Sequence, residues 1–128
     1  PISELLPDGQ QLAAVPLNAT MHDVQEVTRG SRHLRVLVRD GARTVGVVHV
    51  RDTLLEPDLT RPALDLARDP VRLPADTGVA AGMAIIRRER TQLAIVVDGD
   101  RELGVLTFED VLPGLMPSAL LRDEGVAA

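Results

Sequence analysis

The sequence predicts a mixed α/β (α+β) fold of two βαββα units packed with pseudo-two-fold symmetry, and three observations predict it. GVVHVRDTL at residues 46–54 returns as GVLTFEDVL at residues 104–112. At least ten identities obey a single offset of 58 with no insertion, running from Pro16/Pro74 through Arg29/Arg87, Val38/Val96 and Asp40/Asp98 to Asp52/Asp110 and Leu54/Leu112. Helical and strand periodicities follow one another in the same order in both copies. A period this long, present only twice, points to two similar units packed face to face rather than to an open array. Such an arrangement implies clefts straddling the axis. The repeats are placed at residues 10–56 and 71–116, with a connector at 57–70 and a tail at 117–128.

Each copy opens with an extended entry ending in proline, LAAVPLNAT and DPVRLPADT, because proline and its predecessor favour extended backbone. A helix follows. In copy one Asn18 or Thr20 caps it, and Met21, Val24 and Val27 fall three apart on one face. In copy two Asp76 or Thr77 caps, and Val79, Met83 and Ile86 form the apolar stripe. The next strand is LRVLVR or LAIVV, closed by the turn pairs Asp40-Gly41 and Asp98-Gly99 that suit a hairpin. Leu34, Val36 and Val38 alternate with Arg35 and Arg39, which predicts one wet or ligand-facing side, whereas residues 93–97 are apolar throughout. The return strand, TVGVVHV or ELGVLTF, runs into a short helix at RDTLLE or EDVLPGL, ended or disturbed by Pro57 or Pro113. A short helical turn is expected within the connector at residues 63–67.

Composition bounds the function. A chain of 128 residues with 45% hydrophobic content supports one compact core, although neither half should fold alone. The net charge of −5 disfavours phosphate-backbone binding, and Phe108, the sole aromatic residue, cannot make a base-stacking platform, so nucleic acid is not an expected partner. The absence of cysteine removes disulfides, thiolate nucleophiles and thiolate metal sites. No apolar run reaches the roughly 18 residues of a membrane span, and no signal peptide is visible. A start at Pro1 rather than methionine reads as a piece of a longer protein. All 14 basic residues are arginine, so any phosphate contact must come from a guanidinium.

Glycine, an apolar pair, a Ser or Thr and then an acid three residues later, at a strand-to-helix junction, resembles the signature of cystathionine-β-synthase (CBS) domains. GVLTFED matches it fully, and GVVHVRD matches except that His49 stands where Thr107 stands in copy two. Repeat, element order and signature cover about residues 10–116, so the chain resembles a complete CBS pair, or Bateman module. Within that group, GVVHVRDTL and TQLAIVVDGDRELGVLTFEDVL are similar to the paired module of CorC/CNNM magnesium/cobalt transporters and hemolysin-like proteins. The chain departs from that pattern where it has only DGDRE after the second strand and LPGLMPSAL after the final signature. The resemblance implies an adenosine nucleotide as ligand (ATP or AMP, with magnesium as a companion), a flat homodimer, and fusion to a membrane domain with this module on the cytoplasmic side.

The chemistry of the junction agrees with such a ligand. Glycine lets the return strand approach a ligand, and an acid in the first helical turn, Asp110 or Asp52, accepts hydrogen bonds from ribose hydroxyls. Hydrogen bonds to an ionised group contribute about 1.5–3 kcal/mol each. Thr107 can cap its helix and touch the ribose or a phosphate oxygen; a Thr followed three residues later by an acid is also an ordinary capping arrangement. His49 either contacts phosphate or plugs the copy-one pocket. Arg32, Arg35 and Arg90 are the candidate phosphate contacts, by bidentate guanidinium geometry. Thr91 lines the same pocket, and Val36, Leu93 or Ile95 would flank the adenine. His22, His33 and His49 lack metal-ligand spacing, and Ser31, His33 and Asp40 lack the loop that a catalytic triad needs, so neither a metal site nor catalysis is expected. Two rival readings stay open: a dimerisation module with empty pockets, and a regulatory insert of a cytosolic enzyme.

Overall fold

The computed structural model describes residues 1–8, 10, 12–31, 33–91 and 93–107. The chain divides into two compact units, Gln11–Pro70 and Pro1–Gln10 together with the residues from Val71 onward. The first contains β1 (Ala14–Pro16), α1 (Met21–Thr28), β2 (Arg35–Asp40), β3 (Arg43–His49) and α2 (Val50–Thr53). The second contains β4 (Val71–Pro74), α3 (Val79–Arg88), β5 (Leu93–Asp98) and β6 (Arg101–Thr107). The helix expected after Thr107 lies outside the described residues.

Each unit carries a three-stranded sheet, ordered β1-β2-β3 or β4-β5-β6, with a parallel outer pair and an antiparallel hairpin. The hairpins share one geometry. Asp40 pairs with Arg43 and Asp98 with Arg101, so the loop residues are Gly41-Ala42 and Gly99-Asp100. Only the glycine of each loop has positive φ, at +59°, which is the glycine-first arrangement of a type II′ turn. Both hairpins also shift register once, after Val38 and after Val96, leaving Val45 and Leu103 as the extra residues.

Helix starts differ between the copies. Thr20 caps α1 through a capping box: its hydroxyl accepts from the Asp23 N–H, and the Asp23 carboxylate accepts from the Thr20 N–H. The connector completes the job, because the Met21 and His22 N–H groups donate to the carbonyls of Arg61 and Leu59. In copy two neither Asp76 nor Thr77 caps; Gly78 is the N-cap, without a side-chain bond. The Thr77 backbone is engaged elsewhere, its N–H donating to the Pro74 carbonyl and its carbonyl accepting from Ile2.

One face of each sheet packs on its helix. In the first unit Val36, Val38 and Val48 join Val24 and Ala63 in a buried cluster. In the second, Leu73, Ala94, Val96 and Leu106 join Met83, Ile86 and Ile2. Leu34 precedes β2 and is exposed, while Leu37, between the two arginine positions, is buried, so the other face of β2 is not uniformly wet.

The connector is part of the first unit rather than a free linker. A 3₁₀ turn at Ala63–Leu66 anchors it, the Ala63 N–H donating to the Ala19 carbonyl, and Arg68 exchanges both backbone hydrogen bonds with Val47 on the free edge of β3. The N-terminal segment does the same for the second unit. A 3₁₀ turn at Ile2–Leu5 anchors it, the Ile2 N–H donating to the Thr77 carbonyl, the 58-offset counterpart of Ala19. Gln10 then binds the Val105 N–H (3.0 Å) and carbonyl (2.7 Å) with its side-chain amide, imitating the backbone pairing of Arg68 with Val47.

The two sockets are sized oppositely. Gly82, at the α3 position matching Val24 of α1, has no room for a Cβ because the Cδ1 methyl of Ile2 fills the space. A bulky plug thus meets glycine in one unit, and a small plug, Ala63, shares the core with valine in the other.

Candidate functional site

The strand-to-helix junctions are built by the sheet registers. In the second unit Leu93 is opposite Thr107 and Ile95 opposite Val105, so these four side chains share the sheet face turned away from the Ala94–Val96–Leu106 core. Leu93 and Ile95 are therefore on the same face as Thr107, the last residue of β6. Val36 is not: it sits in the helix-side core of its unit and cannot flank a ligand on the opposite face. Strict alternation decides this, since Val36 lies one residue beyond Arg35 in β2. Asp110 and Arg32 lie outside the described residues.

Thr91 is committed locally, its hydroxyl donating to the Leu93 carbonyl (2.8 Å) and accepting from the Leu93 N–H (3.3 Å). It fixes the entry into β5. Arg90 precedes it with φ +53°, a left-handed conformation that costs a non-glycine residue roughly 1–2 kcal/mol. It follows the C-terminal end of α3, where glycine is the common choice. Gly30 holds a left-handed conformation after α1.

In the first unit Arg35 is opposite His49, so the two share a face. His49 is the N-cap of α2, its Nδ1 accepting from the Arg51 N–H at 3.1 Å. The imidazole thus performs the capping task of a hydroxyl, which neither the phosphate-contact nor the plug expectation anticipated. Asp52 lies in the first turn of α2, 3.9 Å from Arg51. Behind it, Thr53 accepts from Gln25 of α1 (2.9 Å) and donates to the Val50 carbonyl, tying α2 to α1.

Burial holds the His49 pKa below its ordinary value, and the positive charges of Arg51, Arg35 and Arg68 push the same way against the opposing pull of Asp52. An acceptor Nδ1 requires the neutral ring. The unfolded chain therefore takes up more protons as the pH falls. The stability His49 contributes is complete above about pH 6.5 and is lost as the pH drops through the folded value. Thermal melts at about pH 5 and pH 7.5 are expected to differ less in His49→Asn, whose amide caps without titrating, than in the parent. An equal difference in both would contradict this role.

Among the described residues no cluster of three His, Asp or Glu side chains could hold a metal ion, and no helix is long and apolar enough to cross a membrane.

Two βαββ-built units bearing a Gly-apolar-apolar-Thr/His junction define the CBS class of folds. The CBS domain family matches residues 63–116. The chain is similar to CBS domains and shares their fold, and the solved structures it resembles include CBS domains of CNNM/CorC transporters and of hemolysin-like proteins. The CBS domain of a bacterial CNNM/CorC family Mg2+ transporter in complex with ATP is 28% identical, with a TM-score of 0.79 over 88% of this chain and 84% of that one. A CBS domain protein from Pyrobaculum aerophilum complexed with AMP is 26% identical, with a TM-score of 0.74 over 97% of both chains. Hemolysin C from Rickettsia prowazekii is 27% identical over 87% of this chain. The chain spans only 32% to 39% of the length of the curated relatives it matches.

Proposed function

We propose that this CBS pair is a regulatory module that binds an adenosine nucleotide, and that it serves a CorC/CNNM-like divalent cation transporter or hemolysin-like membrane protein from the cytoplasmic side. The observation carrying this reading is the likeness, over most of both chains, to a transporter CBS domain in complex with ATP. The second unit supplies matching chemistry. Thr107 and Asp110 hold the ribose, Leu93 and Ile95 lie beside the base, Thr91 lines the pocket, and Arg90 reaches toward phosphates. Magnesium would accompany ATP as its counterion rather than occupy a site of its own. Pairing of two modules into a homodimer gives the binding energy something to act on, because a ligand shifts an equilibrium only when its affinity for the two arrangements differs.

A thermal-shift titration with ATP, ADP, AMP and S-adenosylmethionine, each with and without magnesium, tests this. A ligand at a hundredfold over its Kd is expected to stabilise the chain by about 2.7 kcal/mol, a shift of several degrees for a domain of this size. Asp110→Ala is expected to abolish the shift. If no adenosine compound moves the midpoint, the module is a dimerisation element with empty pockets; if Asp110→Ala keeps the full shift, the site is elsewhere.

A further inference from the structure

The two junctions are not chemically equivalent, and the difference lies in arginine. Arg35 is opposite His49 across the β2–β3 pair, and Arg68 exchanges backbone hydrogen bonds with Val47, two residues before His49 on the other edge of β3. Directly paired residues point to one side of a sheet, as do residues two apart, so Arg35, His49 and Arg68 project from the same face. Opposed Cβ atoms lie about 5 Å apart and diagonal neighbours about 7–8 Å, well within the reach of two long side chains on either flank of one imidazole. Arg51 adds a third guanidinium from the first turn of α2.

None of this is required by the fold. The matching positions of copy two are Leu93, Thr107, Glu109 and Gln10. Arg35 and Arg68 form no side-chain hydrogen bond or ion pair among the described residues, whereas Arg29, Arg61 and Arg72 are each paired with a carboxylate. Asp52, already beside Arg51, is the acid that opposes the cluster. In a chain of net charge −5, two guanidiniums without a carboxylate partner among the described residues, beside a histidine whose Nδ1 accepts a hydrogen bond, are a local exception.

We infer that the first-copy junction is an anion site for a phosphate-class ligand, with Arg35 and Arg68 as paired guanidinium forks and the Nε2–H of His49 as the donor between them. With Nδ1 accepting from the Arg51 N–H, the neutral ring carries its proton on Nε2 and can donate it to a phosphate oxygen. His49 thus replaces the ribose-binding hydroxyl of copy two with a group suited to phosphate. Burial is the first cause of its lowered pKa, and the arginines that add to the effect are the same charges that would draw the anion. The phosphates come from a nucleotide's polyphosphate tail or from free polyphosphate. The inference deepens the nucleotide reading and rests on it only for the first of those sources.

Calorimetric titration with inorganic tripolyphosphate, ATP and adenosine as separate probes tests it, with Arg35→Gln and Arg68→Gln beside the parent chain. Tripolyphosphate is expected to bind the parent, more weakly as salt rises, and at least tenfold more weakly in either arginine variant. Bound tripolyphosphate is also expected to raise the His49 titration midpoint followed by NMR in the parent and not in the double arginine variant, a change that merely structural arginines would not produce. If ATP displaces tripolyphosphate the source is the nucleotide tail; if it binds beside it, the source is free polyphosphate. Adenosine reports on the Thr107–Asp110 site alone, so its failure to bind leaves the anion site standing. Tripolyphosphate that does not bind, or binds both arginine variants as tightly as the parent, overturns the inference.

Discussion

Gly82→Val is expected to destabilise the chain by about 1–3 kcal/mol, and adding Ile2→Ala is expected to restore most of that loss. The single substitution places three carbons where the Ile2 side chain lies, in a helix interior where both residues are buried. Better helix propensity than glycine returns less than about 1 kcal/mol, so overpacking wins. Ile2→Ala alone removes three carbons from a fully buried side chain and is expected to cost about 2–5 kcal/mol, the larger effect of the two. Together the substitutions conserve volume and recreate the valine-with-alanine combination of Val24 and Ala63, so the double variant is expected within about 1.5 kcal/mol of the parent. Chemical denaturation measures all four corners of the cycle. A double variant as unstable as the sum of the singles would mean that the two units do not use equivalent sockets.

Glu102→Ala is expected to cost about 1–3 kcal/mol, because it strips Arg72 of a carboxylate partner at 3.0 Å. Glu102 on β6 and Arg72 on β4 straddle β5, and the Glu102 side chain is only 9% exposed. A partly buried guanidinium left behind is costlier than the ion pair is favourable. Copy one solves the same position without charge: Ala14 and the buried Thr44 stand where Arg72 and Glu102 stand. The double change Arg72→Ala with Glu102→Thr is therefore expected to be milder than Glu102→Ala alone. Equal losses in the two variants, read from denaturation midpoints, would show that the pair matters for its attraction and not for the charge it leaves behind.

Much of this fold was legible because the offset of 58 holds through every strand and both major helices. The identity of Gly46 with Gly104 and of Asp40-Gly41 with Asp98-Gly99 fixed hairpins that indeed share turn and bulge. The plugs were not legible for a definite reason. Ile2 and Ala63 are equivalent by their hydrogen bonds yet stand 61 residues apart, while Gln10 and Arg68 stand 58 apart, so the N-terminal segment has three extra residues and subtraction fails there. Gln10 further hides its role by using a side chain where Arg68 uses backbone. At the junctions, the spacing located His49 and Thr107 correctly at the ends of their strands. Assigning Val36 to a ligand wall failed because alternation tells which residues share a face, not which face meets the helix. The capping by His49 required knowing that its ring nitrogen reaches the Arg51 N–H.

The claim on which the functional account turns is that an adenosine nucleotide sits on the Thr107-bearing face of the second unit. Methyl NMR during a titration with AMP measures it residue by residue. Leu93, Ile95 and Thr107 methyl signals are expected to shift together and saturate, with Ala94, Val96 and Leu106, on the helix-side face, nearly unmoved. Saturating AMP that leaves Leu93, Ile95 and Thr107 in place, or that moves the core face instead, would contradict the account.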